Sequence, residues 1–270
     1  MQDDFEGAIV VVTGASTGLG RAIAVEVARR GARAVVVNYA SSAAEAEETA
    51  RLVGEQGGEA ILAQGDVADD AACRRICAAA EPYGRIDALF NNAGITRFAP
   101  RHDQLDALSS DDFLDIYKVN VVGAWQMTRA ARSLLEAEQR IPGVPAAVVN
   151  TSSIAAVTGI GSSVAYAASK GALTTMTLSL ARALAPKIRV NAVCPGFIDT
   201  PWFEKSPAAD QLERFREGVI AAVPLKVAST AADIAGATVF LASPAARHVT
   251  GETLLVDAGS HLGYAARVAR

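Results

Sequence analysis

Ala8-Ile-Val-Val-Val-Thr13 is a short, apolar, β-branched run, and the glycine-rich stretch Gly14 to Gly20 breaks it at once. A run of this composition forms a strand buried on both faces, which requires helices above and below it. Residues 19–30 then carry apolar side chains at helical spacing and stop at Gly31, a C-cap signal. The unit recurs. Further strands are expected over 34–38, 60–64, 88–91, 146–150, 188–193 and 252–256, and further helices over 43–56, 69–81, 111–139, 163–185 and 231–241. Pro142, Pro145 and Pro186 mark turns between them. Such alternation predicts the α/β class: one domain across residues 1–270, a doubly wound parallel sheet of about seven strands with helices on both faces. Only an excursion over about 197–229, with one helix, departs from the pattern. Ligands of such sheets sit beyond the carboxyl ends of the strands, near the switch in strand order, and the motifs below fall there.

Composition narrows the function classes. At 51% hydrophobic and a formal charge of −4, the chain buries a sizeable core and has no global attraction for nucleic acid or an anionic membrane. No eighteen consecutive apolar residues occur, and residues 1–7 are acidic with neither a basic start nor an apolar stretch, so a cytoplasmic protein acting on a small molecule is expected. Cys73 and Cys77 share a helix face with no histidine near them and read as core, as does Cys194 inside a strand. His102, His248 and His261 fit no ligand spacing, so no metal is expected.

The turn Thr13-Gly-Ala-Ser-Thr-Gly-Leu-Gly20 joins the first strand to the first helix. Its glycines permit a tight turn and let a diphosphate approach backbone N–H groups at the positive end of a helix. The spacing Gly14-x3-Gly18-x-Gly20 departs from the generic G-x-G-x-x-G fingerprint. Where an acidic residue normally bonds an adenosine ribose 2′-OH, the chain has Asn38, followed by Tyr39, Ala40, Ser41 and Ser42. Hydroxyls and helix N–H groups there accept a phosphate without charge repulsion, which favours NADP(H) over NAD(H), although no Arg or Lys stands in the turn or just after Asn38.

Together, Thr13-Gly14-x3-Gly18-x-Gly20, Asn91-Asn92-Ala93-Gly94, Tyr166-x3-Lys170 and Pro195-Gly196 resemble the short-chain dehydrogenase/reductase family over nearly the whole chain. Size and the Asn38-Tyr39-Ala40 segment look most like its compact members of the 3-oxoacyl-acyl-carrier-protein reductase type. The resemblance implies a Rossmann domain and hydride transfer between a nicotinamide and a ketone or secondary alcohol, on a 3-oxoacyl thioester, sugar, steroid or other small carbonyl. It also implies a homotetramer or homodimer. The alternative is a catalytically silent dinucleotide-binding regulator of the same fold.

Tyr166 and Lys170 lie four apart and share a face of one helix. A nearby ammonium stabilises a phenolate and lowers its pKa, which fits Tyr166 to work as an acid/base. Ser152 and Ser153 both follow the fifth strand, and the family's spacing to the tyrosine selects Ser153. The resemblance assigns Asn120 a water held between helix backbone and lysine, the alternative being a kink or packing role. It further places Gly14, Ser16, Thr17, Gly18, Leu19 and Gly20 at the diphosphate, Asn38, Tyr39, Ala40 and Ser41 at the ribose phosphate, and Asp66 and Val67 at the adenine, with a helix N-cap as the alternative for Asp66. Asn92, Ala93 and Gly94 would lie along the adenosine ribose side, and Pro195, Gly196, Ile198 and Thr200 at the carboxamide. Trp202 and Phe203 are expected to shape a substrate lid, with ordinary packing as the alternative.

Overall fold

The computed structural model describes residues 4–99, 101–200, 202 and 212–263. The first half alternates strictly: β1 (Ile9–Val12), α1 (Gly18–Arg29), β2 (Ala34–Tyr39), α2 (Ala43–Glu55), β3 (Glu59–Gln64), α3 (Asp70–Ala78) and β4 (Ala88–Asn91). Next come α4 (Ser110–Tyr117), a π-helical turn (Lys118–Gly123) and α5 (Ala124–Leu135), then β5 (Ala146–Thr151), α6 (Ala155–Thr158), α7 (Val164–Leu184) and β6 (Ile188–Pro195). The chain finishes with β7 (Ile198–Asp199), α8 (Leu212–Ala222), β8 (Ser229–Thr230), α9 (Ala231–Ala242) and β9 (Thr253–Val256).

Seven strands form one parallel sheet in the order β3-β2-β1-β4-β5-β6-β9, so the order reverses between β1 and β4. β1 shows why both faces must be covered, because all four of its residues are buried. Val10 and Val12 point into a core with Ile23 and Val27 of α1, Val53 of α2 and Ile234 and Val239 of α9. Ile9 and Val11 point the other way, onto Ile76 of α3, Met127 of α5 and Ala181 of α7. Each fully buried Val or Ile contributes about 1.5–3 kcal/mol relative to exposure.

Two departures from the sequence pattern have local causes. The helix expected over 111–139 stops at Leu135 and is widened at its centre by the π turn, where Gly123 packs so closely on Val67 that a Cβ would stand 2.7 Å from Cγ2 of that residue. The excursion begins and ends in a small parallel pair, Ile198 opposite Ser229 and Asp199 opposite Thr230. Cys73, Cys77 and Cys194 are buried free thiols, as core residues should be. Phe203 lies outside the described residues.

Candidate active site

The glycine-rich turn is shaped by what crowds it. Gly14 has φ +60°, and a Cβ there would stand 2.8 Å from the Ala93 Cα; on Gly20 it would stand 2.2 Å from the Gly14 carbonyl oxygen. Asn92 braces the same turn, its amide donating to the Thr13 and Gly14 carbonyls at 3.2 Å each. Thr17 is the N-cap of α1 but makes no side-chain cap bond, and the first turn holds no acidic residue. Ser42 likewise leaves α2 without a side-chain cap, whereas Asp69, Ser109, Ser163 and Thr230 cap α3, α4, α7 and α9. The N-terminus of α1 thus presents its first N–H groups with neither an engaged side-chain cap nor an acidic neighbour, which suits a diphosphate, whereas the first turn of α2 carries Glu45. Leu19 is buried beneath the turn, Ser16 is half-buried and Thr17 exposed. The residues present therefore fit a dinucleotide.

At the ribose end, Asn38 is only 1% exposed. Its Oδ1 accepts from the Gly14 N–H at 3.2 Å and its Nδ2 donates to the Ala63 and Gly65 carbonyls at 3.0 Å each. The side chain is engaged inside the fold, leaving Ala40 and Ser41 as the exposed surface after β2, with Tyr39 half-buried. Asp66 is exposed at the end of β3 and turns one carboxylate oxygen onto the Ala68 N–H at 2.9 Å; the cap of α3 is Asp69. Val67 is buried, and its carbonyl accepts from Gln126 at 2.8 Å.

The reacting end assembles on β5 and α7. Ser163 caps α7 by accepting from the Tyr166 N–H at 3.2 Å, which fixes the first turn that carries the tyrosine. Lys170 is 3% exposed, and its ammonium donates to the Thr151 carbonyl at 2.7 Å, with Nζ 5.6 Å from the centre of the Tyr166 ring. Burial pushes the Tyr166 phenol up to about 12, and a hydrogen bond with the Ser153 side chain works against that rise. In the protein alone, burial therefore outweighs the lowering expected from the ammonium. Burial also brings Lys170 down to about 8. Ser152 faces away, its hydroxyl donating to the Lys170 carbonyl at 3.0 Å.

Asn120 sits in the π turn with its Oδ1 accepting from the Ile95 N–H at 2.8 Å and its Nδ2 donating to the Ile95 carbonyl and Ser169 Oγ at 3.0 Å each. Gly94 lies between this amide and the lysine: a Cβ would stand 3.3 Å from Asn120 Oδ1 and 3.5 Å from Lys170 Nζ. Pro195, the last residue of β6, is buried, and just beyond it the Gly196 N–H donates to the Val256 carbonyl at 3.1 Å. Ile198 and Thr200 follow, and the Thr200 methyl lies 3.7 Å from where a Cβ on Gly18 would stand. Trp202 reaches the acid/base candidate itself, its ring 6.2 Å from that of Tyr166.

A family model described as enoyl-(acyl carrier protein) reductase matches residues 14–261. The "Granaticin polyketide synthase putative ketoacyl reductase 2" of Streptomyces violaceoruber is 40% identical over 258 residues, covering 95% of this chain and 97% of its own. The chain belongs to the short-chain dehydrogenase/reductase family. A solved "putative short-chain dehydrogenase/reductase" from Burkholderia xenovorans has a TM-score of 0.86 at 38% identity, covering 95% of this chain and 98% of its own. A short chain dehydrogenase from Burkholderia cenocepacia in complex with NADP has a TM-score of 0.81 at 34% identity, covering 96% of this chain and all of its own.

Membership in this family of oxidoreductases leaves three of the chain's contributions outside the motifs. Arg21, one position past Gly20, donates to the Ser16 carbonyl at 2.6 Å and the Glu45 carbonyl at 2.9 Å, tying the turn to α2. Its only signal in the sequence is its place directly after the last glycine. Thr151 and Ser152, which hold Lys170, precede the catalytic-serine candidate and carry no pattern of their own. Among the described residues, no helix is long and apolar enough to cross a membrane.

Proposed function

We propose that this chain is an NADP(H)-preferring reductase or dehydrogenase of a ketone or secondary alcohol, with Tyr166 as its acid/base. The observation that carries the reading is the meeting of Ser153, Tyr166 and Lys170 at the end of β5 and the start of α7. When bound, the nicotinamide supplies or accepts the hydride. Tyr166 gives its proton to the substrate oxygen in reduction and recovers it in oxidation, while the Ser153 hydroxyl hydrogen-bonds that oxygen. Lys170 carries the positive charge that steadies the phenolate.

The turn from Gly14 to Gly20 would hold the diphosphate, Ser41 the ribose phosphate, Asp66 and Val67 the adenine, and Ile198 and Thr200 the carboxamide. The absence of a carboxylate from Asn38 to Ser42 and the NADP bound to the Burkholderia cenocepacia relative support the preference. A 3-oxoacyl thioester heads the substrates to test because of the Streptomyces relative's name. Assembly as a homotetramer in the cytoplasm completes the reading; exposed Trp125 on α5 and Leu178 on α7 suit burial against another copy.

Titration with NADPH and NADH separately, followed by a panel of acetoacetyl thioesters, ketosteroids, sugars and cyclic ketones, tests the reading. Tighter NADPH binding and turnover of a ketone are expected. Tighter NADH binding overturns the cofactor preference, and turnover unchanged in Tyr166→Phe overturns the acid/base. Light scattering of a monomer would refute the assembly.

A further inference from the structure

Three consecutive residues at the end of β5 address three different points of the Tyr166–Lys170 pair. The Thr151 carbonyl accepts from Lys170 Nζ, the Ser152 hydroxyl donates to the Lys170 carbonyl, and the Ser153 side chain hydrogen-bonds Tyr166. The middle contact has no place in the chemistry proposed above. Ser152 is 2% exposed, its N–H donates to the Val193 carbonyl at 2.8 Å, and its hydroxyl lies 2.8 Å from Thr174 Oγ1, one turn beyond Lys170. From β6, the buried Cys194 thiol hydrogen-bonds the Ser152 and Thr174 side chains.

We propose that Ser152 is a positioning residue: backed by Thr174 and Cys194, its hydroxyl pins the Lys170 turn of α7 to the end of β5 and so sets where the ammonium stands beside Tyr166. A helix carbonyl already has its own i+4 partner, so a second, lateral bond serves to fix the helix against the strand. The lysine is thereby held at both ends, main chain by Ser152 and ammonium by Thr151. Among the described residues, the titratable groups acting on the lysine are Tyr166 on its own helix and Cys194 from β6. Ser153 and the π-turn Asn120 are neutral. The proposal rests on reading Tyr166 and Lys170 as the acid/base pair.

The test reads Lys170 directly. The chain has five lysines, Lys118, Lys170, Lys187, Lys205 and Lys226, so side-chain carbon NMR of lysine-labelled protein resolves one titration that Lys170→Met abolishes. In the parent that midpoint is expected at about 8. Ser152→Ala should raise it by roughly half a unit to one unit, as a loosened lysine gains solvent. In NADPH oxidation with the best ketone of the panel, kcat should fall while the KM for NADPH holds, and Ser152→Thr should restore both readouts. An unchanged midpoint in folded Ser152→Ala overturns the proposal. If that variant does not fold, Thr174→Val must raise the midpoint by a smaller amount, and no movement there overturns it equally. Undiminished turnover by Tyr166→Phe would instead remove the acid/base reading, leaving the lysine titration to report on the pin alone.

Discussion

Asn38 accepts a hydrogen bond from the Gly14 N–H while its amide nitrogen donates to two carbonyls of the β3 end, so one side chain joins β2, β3 and the glycine-rich turn. Asn38→Asp keeps the acceptor but loses both donations and turns a carboxylate toward the Ala63 and Gly65 carbonyls. A loss of about 1–3 kcal/mol in urea unfolding is expected, with little gain of NADH affinity. A clean switch to NADH with unchanged stability would contradict this placement.

Glycine replacement should separate crowding from helix propensity. Gly20→Ala drives a Cβ into the Gly14 carbonyl and is expected to weaken NADPH binding and lower the melting temperature together. Gly54, near the end of α2, meets nothing within 4 Å. Gly54→Ala should therefore stabilise by about 0.5–1 kcal/mol with cofactor binding unchanged, measured by the same melts.

Lys170 makes stability depend on pH with a definite sign. Its folded value, about 8, lies below its ordinary 10.5, so between them the unfolded chain binds more protons and stability rises with pH. Cys73 and Cys77, pushed by burial from 9 to about 12, pull the other way from about pH 9, and Tyr166, pushed from 10 to about 12, joins them above about pH 10. Relative to Lys170→Met, which removes this titration, denaturant melts of the parent should gain about 2 kcal/mol between pH 8 and pH 10. Parallel profiles for the parent and Lys170→Met would show that burial does not lower the lysine.

Removing the reacting groups should grade the rate. Tyr166→Phe is expected to lower kcat by about 10²–10⁴ while leaving NADPH titration intact. Ser153→Ala should cost less, about 10²-fold, because it removes one hydrogen bond to the reacting oxygen. Equal rates for Ser153→Ala and the parent would point to a different serine.

Much of this architecture is legible in the amino-acid sequence, because burial on both faces writes itself into β1 and into Ala88-Leu-Phe90 of β4 as unbroken apolar runs, while β6, equally buried, carries Arg189 and Asn191 among its apolar residues. The turn glycines and Tyr166-x3-Lys170 are legible because backbone crowding and helix spacing demand particular residues at particular intervals. Asn38 is less so: its position suggests a cofactor neighbour, and only the register of β2 against β3 reveals the carbonyls it bonds. The π turn at Lys118–Gly123 leaves no periodic trace, since one widened turn hardly changes which residues are apolar. Ser152 has no sequence signature as a pin, because the bond joins residues 18 apart through a strand end and a helix carbonyl.

The short pairing of β7 with β8 brings Ile198 and Asp199 alongside Ser229 and Thr230 before the chain returns to the sheet through α9. Closing a loop grows more costly only with the logarithm of its length. The staple therefore fixes where the chain leaves the frame after β6 and where it rejoins it. Grafting the corresponding stretch of a relative between those anchor points should exchange substrate choice and leave the seven-stranded frame untouched, which makes the staple a practical cut site for engineering.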